Sequence, residues 1–211
     1  MTKAELRADV YRRLEEVTGS PVYVSQADVD DALHDGYLEI SDATEWREVY
    51  RTVDLCASRP YYDLRTLFGA DLVVLRPLGA FHEDTNRWLT PISPRDLDGG
   101  YARWEQVIGP PDRLFTRGLF WIAYYPAIGS DSGTVKQYLA VLPDALDDED
   151  APGFDEDYHP ALVEYALAEI LPQIGEVTAA VAAWDAYTAY ERALAAHMQN
   201  RGSVARQHGY Q

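Results

Sequence analysis

Residues 119–141 read LFWIAYYPAIGSDSGTVKQYLAV. Two runs rich in aromatic and β-branched side chains, 119–125 and 135–141, flank Ile128-Gly129-Ser130-Asp131-Ser132-Gly133. Such side chains suit a half-buried pleated surface, so the runs predict two strands joined by a hairpin or a loop. Earlier in the chain, residues 47–55 alternate, with Val49, Arg51, Val53 and Leu55 on one side. Residues 72–77 form a continuous apolar run, and 88–92 are a further strand candidate. Ser93 before Pro94 marks a helix start that interrupts the strands over 93–104, since proline suits the first helical position. Short strands separated by turn signals predict a small antiparallel β-sandwich over residues 46–143.

Helical periodicity takes over on both sides of this segment. Thr2 and Glu5 form a capping-box pattern ahead of the apolar stripe Leu6, Val10, Leu14 and Val17, predicting a helix over 2–17. Thr18-Gly19-Ser20-Pro21 breaks it. Ser25, with Asp28 three residues on, opens a second helix to about residue 43, whose inner stripe is Val29, Leu33, Gly36, Tyr37 and Ile40. The short loop between them predicts an antiparallel pair. Near the C-terminus, Leu162, Val163, Ala166, Leu167 and Ile170 mark a helix over 157–171, broken by Pro172 and Gly175. Residues 176–200 then form one alanine-rich helix, about 37 Å long at ~1.5 Å per residue. The expected fold is α+β: an antiparallel helical bundle of the N- and C-terminal helices, 1–45 and 157–200, with an inserted small antiparallel β-sandwich domain. Residues 144–156 form an acidic loop and 201–211 a flexible C-terminal tail.

Composition narrows the function. The chain has 211 residues, 47% of them hydrophobic, and a net charge of −17. That balance disfavours binding nucleic acid through its phosphates, which requires clustered Lys and Arg. The acid is concentrated: residues 22–45 hold seven carboxylates and 144–157 hold eight, neither with a Lys or Arg. The sign inverts at Arg201, Arg206 and His208. No apolar stretch approaches the roughly 20 residues of a membrane span. Lys3, Glu5, Arg7 and Asp9 at the start argue against a signal peptide, so synthesis in the cytoplasm is expected. The single cysteine, Cys56, reads as a small buried hydrophobe.

Catalytic and metal patterns fail one by one. Read as a calcium loop from Asp148, residues Asp150 and Gly153 fit, but Pro152 and His159 stand at positions five and twelve, where carboxylates are required. No two of His34, His82, His159, His197 and His208 share the i, i+4 spacing of a helical metal pair. His159 reads as a structural residue at a helix start. No nucleophile elbow or phosphate-cradling glycine loop occurs. The expectation is a protein without enzymatic activity, metal or cofactor. Fifteen Tyr and five Trp supply either sandwich core or partner contacts, residue by residue.

Trp104, Gly109-Pro110 and the strand 119–125 ending at Pro126 form one local pattern. Gln137-Tyr138-Leu139-Ala140, Leu142-Pro143 and the Asp-rich loop form a second, and Tyr158-His159 with Leu162-Val163-Glu164-Tyr165-Ala166-Leu167 a third. With Tyr61-Tyr62-Asp63-Leu64, their order resembles the head-to-tail adaptor (connector) proteins of tailed bacteriophages and gene-transfer particles. The likeness runs from the first helices to about residue 195, with a more acidic loop and a short tail. It implies a structural virion protein: a homo-oligomeric ring, commonly of twelve copies, in the neck at the portal vertex. Its partners would be the portal protein, a tail or neck protein below, and double-stranded DNA passing through the lumen without sequence-specific binding.

Carried onto this chain, the resemblance places portal docking at Arg201, Arg206, Gln207 and Tyr210. Ala179, Ala183, Ala186 and Ala193 would pack neighbouring subunits, although helix propensity alone also explains alanine. Asp28, Asp31, Asp35, Glu39 and Asp42 would form an acidic channel lining or a solvated face. The alternative is an acidic monomeric glycan- or protein-binding module using the β-domain aromatics.

Overall fold

The computed structural model describes residues 1–19, 24–69, 73–100, 103–118, 120–130 and 133–201. In chain order the elements are α1 (Lys3–Thr18), α2 (Gln26–Thr44), β1 (Glu48–Asp54), β2 (Tyr61–Asp63), α3 (Leu64–Phe68), β3 (Val74–His82) and β4 (Arg87–Trp88). Then come β5 (Thr90–Pro91), α4 (Pro94–Gly100), β6 (Arg113–Arg117), β7 (Trp121–Tyr125), β8 (Thr134–Val141), α5 (Pro160–Ile170) and α6 (Val177–Arg201). This is the expected α+β class. The described chain divides into a helical unit, Met1–Arg47 with Leu142–Arg201, and a β unit beginning at Glu48 and ending at Val141.

Local chemistry sets the helix boundaries. The Thr2 hydroxyl accepts from the Glu5 N–H (3.3 Å) while the Glu5 carboxylate accepts from the Thr2 N–H (2.8 Å), the reciprocal box that satisfies two orphan donors. Ser25 caps α2 through the Asp28 N–H at 3.1 Å. Helix α5 starts at Pro160, later than periodicity suggests, because residues Glu156–Tyr158 take a 3-10 turn and proline then occupies the first helical position. Pro172 lies in a second 3-10 turn, and Gly175, at φ +92°, ends it in a conformation that disfavours other residues.

The helical core gathers Leu6, Val10 and Leu14 of α1, Val29, Leu33, Tyr37 and Ile40 of α2, and Leu162, Val163, Ala166, Leu167 and Ile170 of α5. Val17, expected in the α1 stripe, is 42% exposed, because the stripe drifts off the core at the last turn. α5 is buried over most of its circumference and packs on α1, α2 and α6. Its one buried charge is paired: the Glu164 carboxylate accepts from Arg13 at 2.9 and 3.2 Å.

In the β unit, one sheet has the order β1-β8-β3-β4 and the other β2-β7-β6-β5. Val53, Val135, Leu139 and Val141 of the first face Tyr62, Leu114, Ile122 and Tyr124 of the second in one cluster. Strands β7 and β8 belong to different sheets, so of the hairpin or loop expected between them the loop reading holds. Three local expectations change. The run 88–92 splits at buried Leu89, with Trp88 pairing into one sheet and Thr90 into the other. Among the described strand pairs, β5–β6 alone is parallel, where antiparallel pairing is expected throughout. Cys56 is exposed: β1 ends at Asp54, and the chain turns outward before the alternation reaches the thiol. One polar pair inside the sheets is satisfied: the Tyr124 hydroxyl donates to Gln137 (3.1 Å), whose amide donates to the carbonyls of Gly79 and Tyr138.

Candidate functional site

The acidic helix face is a direct product of the α2 stripe. With Val29, Leu33, Tyr37 and Ile40 turned inward, Asp28, Asp31, Asp35, Glu39 and Asp42 all stand exposed. Asp30 differs: Arg7 grips it bidentately at 2.5 and 2.9 Å, tying α2 to α1. Asp28, Asp31 and Asp35 share a shallow depression with Glu169 and Gln173. Burial, helped by the negative charges of Glu169, Glu39 and Asp35, pushes the Tyr165 phenol pKa up. Among the described residues, no group of three or more His, Cys, Asp or Glu is placed to hold a metal ion.

On α6 the four alanines separate. Ala183 lies in the chain's own core with Ala180, Tyr187 and Leu194, so it presents no surface to a neighbour. Ala179 and Ala186 are half-buried, and Ala193 is exposed. The larger exposed apolar groups are Val177, Val181 and Trp184, which the alanine pattern conceals. Their i, i+4, i+7 spacing is the signal that identifies them as one stripe.

The acidic loop is anchored. Its Asp150 and Asp148 carbonyls accept from the Lys3 and Ala4 N–H groups at 2.9 and 3.2 Å, two of the donors left free at the start of a helix. Lys3 Nζ donates to the Leu146 carbonyl (3.2 Å) and Arg7 to Asp148 (2.6 Å). The Arg7 hydrogen bond, outweighing the desolvation that opposes it, holds the Asp148 carboxyl below its ordinary pKa. Beneath the loop, Tyr37, Trp46 and Phe154 pack ring on ring at 5.8–6.0 Å. His159 is structural: its ring nitrogens meet the Phe154 carbonyl (3.0 Å) and the Met1 amine (2.9 Å).

The β unit exposes two aromatic surfaces. Tyr50, Tyr138, Trp88 and Phe81 form a continuous row across the first sheet, with neighbouring centroids 5.2–5.7 Å apart. On the second sheet the β6–β7 hairpin presents Phe120 and Trp121. Arg65 lies 4.7 Å over Phe120 and Arg117 lies 5.8 Å over Tyr61, whose hydroxyl donates to Glu105 at 2.8 Å. Of the expected portal-docking residues, Arg201 ends α6, while Arg206, Gln207 and Tyr210 lie outside the described residues.

These surfaces are broad, aromatic or acidic, and suit macromolecular contact better than a reaction. A family model described as SU10 adaptor protein matches residues 1–209. The chain belongs to the SU10 adaptor protein family. It is a family of phage head-tail adaptors, so the chain is a structural adaptor of the phage particle. Comparison with curated proteins finds no match. Among the described residues of the adaptor, no helix is long and apolar enough to cross a membrane.

Proposed function

We propose that this chain is a non-enzymatic, ring-forming head-to-tail adaptor that docks under the portal, extends the DNA channel and supplies the platform for tail attachment. The observation that carries the reading is the family match over residues 1–209. The exposed carboxylates of α2 support it: a face bearing Asp28, Asp31, Asp35, Glu39 and Asp42 repels phosphates, so duplex DNA passes such a lining without adhering. Copies assemble into a ring of twelve through α6, where Ala179, Ala186 and Ala193 permit close approach. The C-terminal segment, with Arg201, Arg206, Gln207 and Tyr210, ties each copy to the portal and orders on binding. A helical bundle carrying an inserted β domain divides the work between portal-side assembly and outward contacts.

The test is reconstitution with a cognate portal protein. Full-length chain co-sediments with portal, and deletion of residues 201–211 leaves its circular dichroism unchanged while removing portal binding. Retained binding by the truncated chain sinks the docking assignment.

A further inference from the structure

The sheet that contains β1 ends on an open edge. β1 lies at the end of the order β1-β8-β3-β4 and has seven residues, whereas the other edge strands, β2, β4 and β5, have three, two and two. Among the described residues no strand pairs with its far side. The ladder shows which groups stand there. Leu55 donates its N–H to the Gly133 carbonyl (2.8 Å), one step beyond the Asp54–Thr134 pair, so the odd-numbered residues bond to β8. Antiparallel pairs alternate, and Tyr50, Thr52 and Asp54 therefore turn their main-chain groups to the open side. The Tyr50 carbonyl fits that phase: it accepts from the Arg51 guanidinium at 3.1 Å, a side chain folded over the edge. Tyr50, Arg51, Thr52 and Asp54 are all exposed. A row of such donors and acceptors is a template for a further strand.

The side chains decide which strand fits. Charge along β1 runs negative, positive, negative at Glu48, Arg51 and Asp54. The neighbouring cation on β8, Lys136, is bound to Glu83 at 2.7 Å. A second copy of β1 in register, parallel or antiparallel, sets carboxylate against carboxylate and Arg51 against Arg51. Like charges directly opposite destabilise a sheet. A strand with basic ends and an acid at its centre meets opposite charge at all three positions. Tyr50, 54% exposed, ends the aromatic row through Tyr138 and Trp88, so an aromatic side chain opposite Tyr50 extends that row.

We propose that the open edge of β1 binds an extended segment of a partner protein, basic at its ends and acidic at its centre, as an added antiparallel strand. Main-chain hydrogen bonds hold such a strand, and alternate side chains select it. Arg51 leaves the Tyr50 carbonyl as the strand arrives and meets the central acid. The proposal goes beyond the portal and channel reading and does not depend on it.

The probe is the capped peptide Lys-Val-Thr-Glu-Tyr-Val-Lys, which pairs antiparallel with residues 48–54, its Tyr opposite Tyr50 and its Glu opposite Arg51. The control peptide exchanges the Lys and Glu positions. Amide hydrogen exchange in the full-length chain is followed by NMR. In the free chain the N–H groups of Val49, Arg51 and Val53 exchange slowly, and those of Tyr50, Thr52 and Asp54 exchange fast. Excess peptide slows the second set about tenfold or more and binds about tenfold tighter than the control. T52P keeps the fold, because proline is tolerated where an edge N–H faces solvent, and loses the peptide. D54K leaves every main-chain group in place and shifts the preference about threefold toward the control. Slow exchange of Tyr50 and Thr52 in the dilute free chain overturns the proposal, since the chain then covers its own edge. Protection that grows with chain concentration also overturns it, assigning the edge to a second copy. Equal binding of the two peptides, no protection by either, or full binding by T52P overturns it as well.

Discussion

Gly36→Ala tests how tightly the helical unit is built where it supports the α6 stripe. A Cβ at Gly36 would lie 2.8, 2.9 and 3.0 Å from Cδ1, Cγ and Cβ of Tyr165, well inside ordinary contact. Tyr165 has little room to retreat, since Tyr187 and Trp184 pack on it with centroids 5.1 and 6.0 Å away. An overpacked methyl of this kind costs about 1–3 kcal/mol. Alanine in place of glycine inside a helix returns roughly 0.8–1 kcal/mol. The expected net is therefore a loss of about 1 kcal/mol, read as a lower urea midpoint at unchanged m. The double variant G36A/Y165A should lose less than the sum of its single changes, by about 0.5 kcal/mol or more, because the clash disappears with the ring. A midpoint equal to or above the parent's refutes the reasoning. It would mean that propensity outweighs packing and that α2 and α5 are not in tight register there.

Two further expectations follow from charges. Arg13→Ala strands the buried Glu164 carboxylate; a fully buried pair broken this way loses about 3–5 kcal/mol, and the solvent access of Arg13 lowers the expected loss to about 2 kcal/mol, with E164Q in the same background recovering part of it in urea unfolding. Acid should weaken the fold in two stages. Burial lowers the His82 pKa, against a smaller opposing pull from Asp84, so the folded state binds fewer protons there than the unfolded chain, and stability declines as pH falls below about 6.5. His82→Gln should abolish that stage in urea midpoints taken from pH 7.5 to 5. The carboxyls of Asp63, Glu83 and Asp148 are held low by hydrogen bonds from Arg65, Lys136 and Arg7 respectively. Their contribution is full above the unfolded carboxyl range near pH 4 and disappears as pH falls through the depressed folded values. Arg7→Gln should therefore flatten the lower stage, and an unchanged acid limb would contradict the assignment.

Local chemistry was legible in the sequence. The Thr2–Glu5 box, the Ser25 cap and the stripes of α2 and α5 each depend on residues within one or two turns of each other. The acidic face was legible for the same reason, because 3.6-residue periodicity that turns Val29, Leu33 and Ile40 inward turns Asp28, Asp35 and Asp42 out. Pairing between distant strands was not, since nothing in 119–141 says that its two runs join different sheets. β6 escaped notice because Arg113 and Arg117 bracket only Leu114, Phe115 and Thr116, too short an alternation to stand out. Trp88–Pro91 read as one strand because a sheet change at a single buried leucine leaves no mark on composition. The α6 surface was hidden by a different cause: abundant alanine drew attention to small residues, yet Ala183 is core and the exposed anchors are Val177, Val181 and Trp184.

The ring is tested most directly by imaging this chain beside its portal. Electron microscopy of the two full-length proteins mixed and imaged together should show the adaptor as a closed ring coaxial with the portal, with α2 carboxylates bordering a continuous channel. A chain that remains monomeric in the presence of portal, or binds away from its axis, would contradict the account.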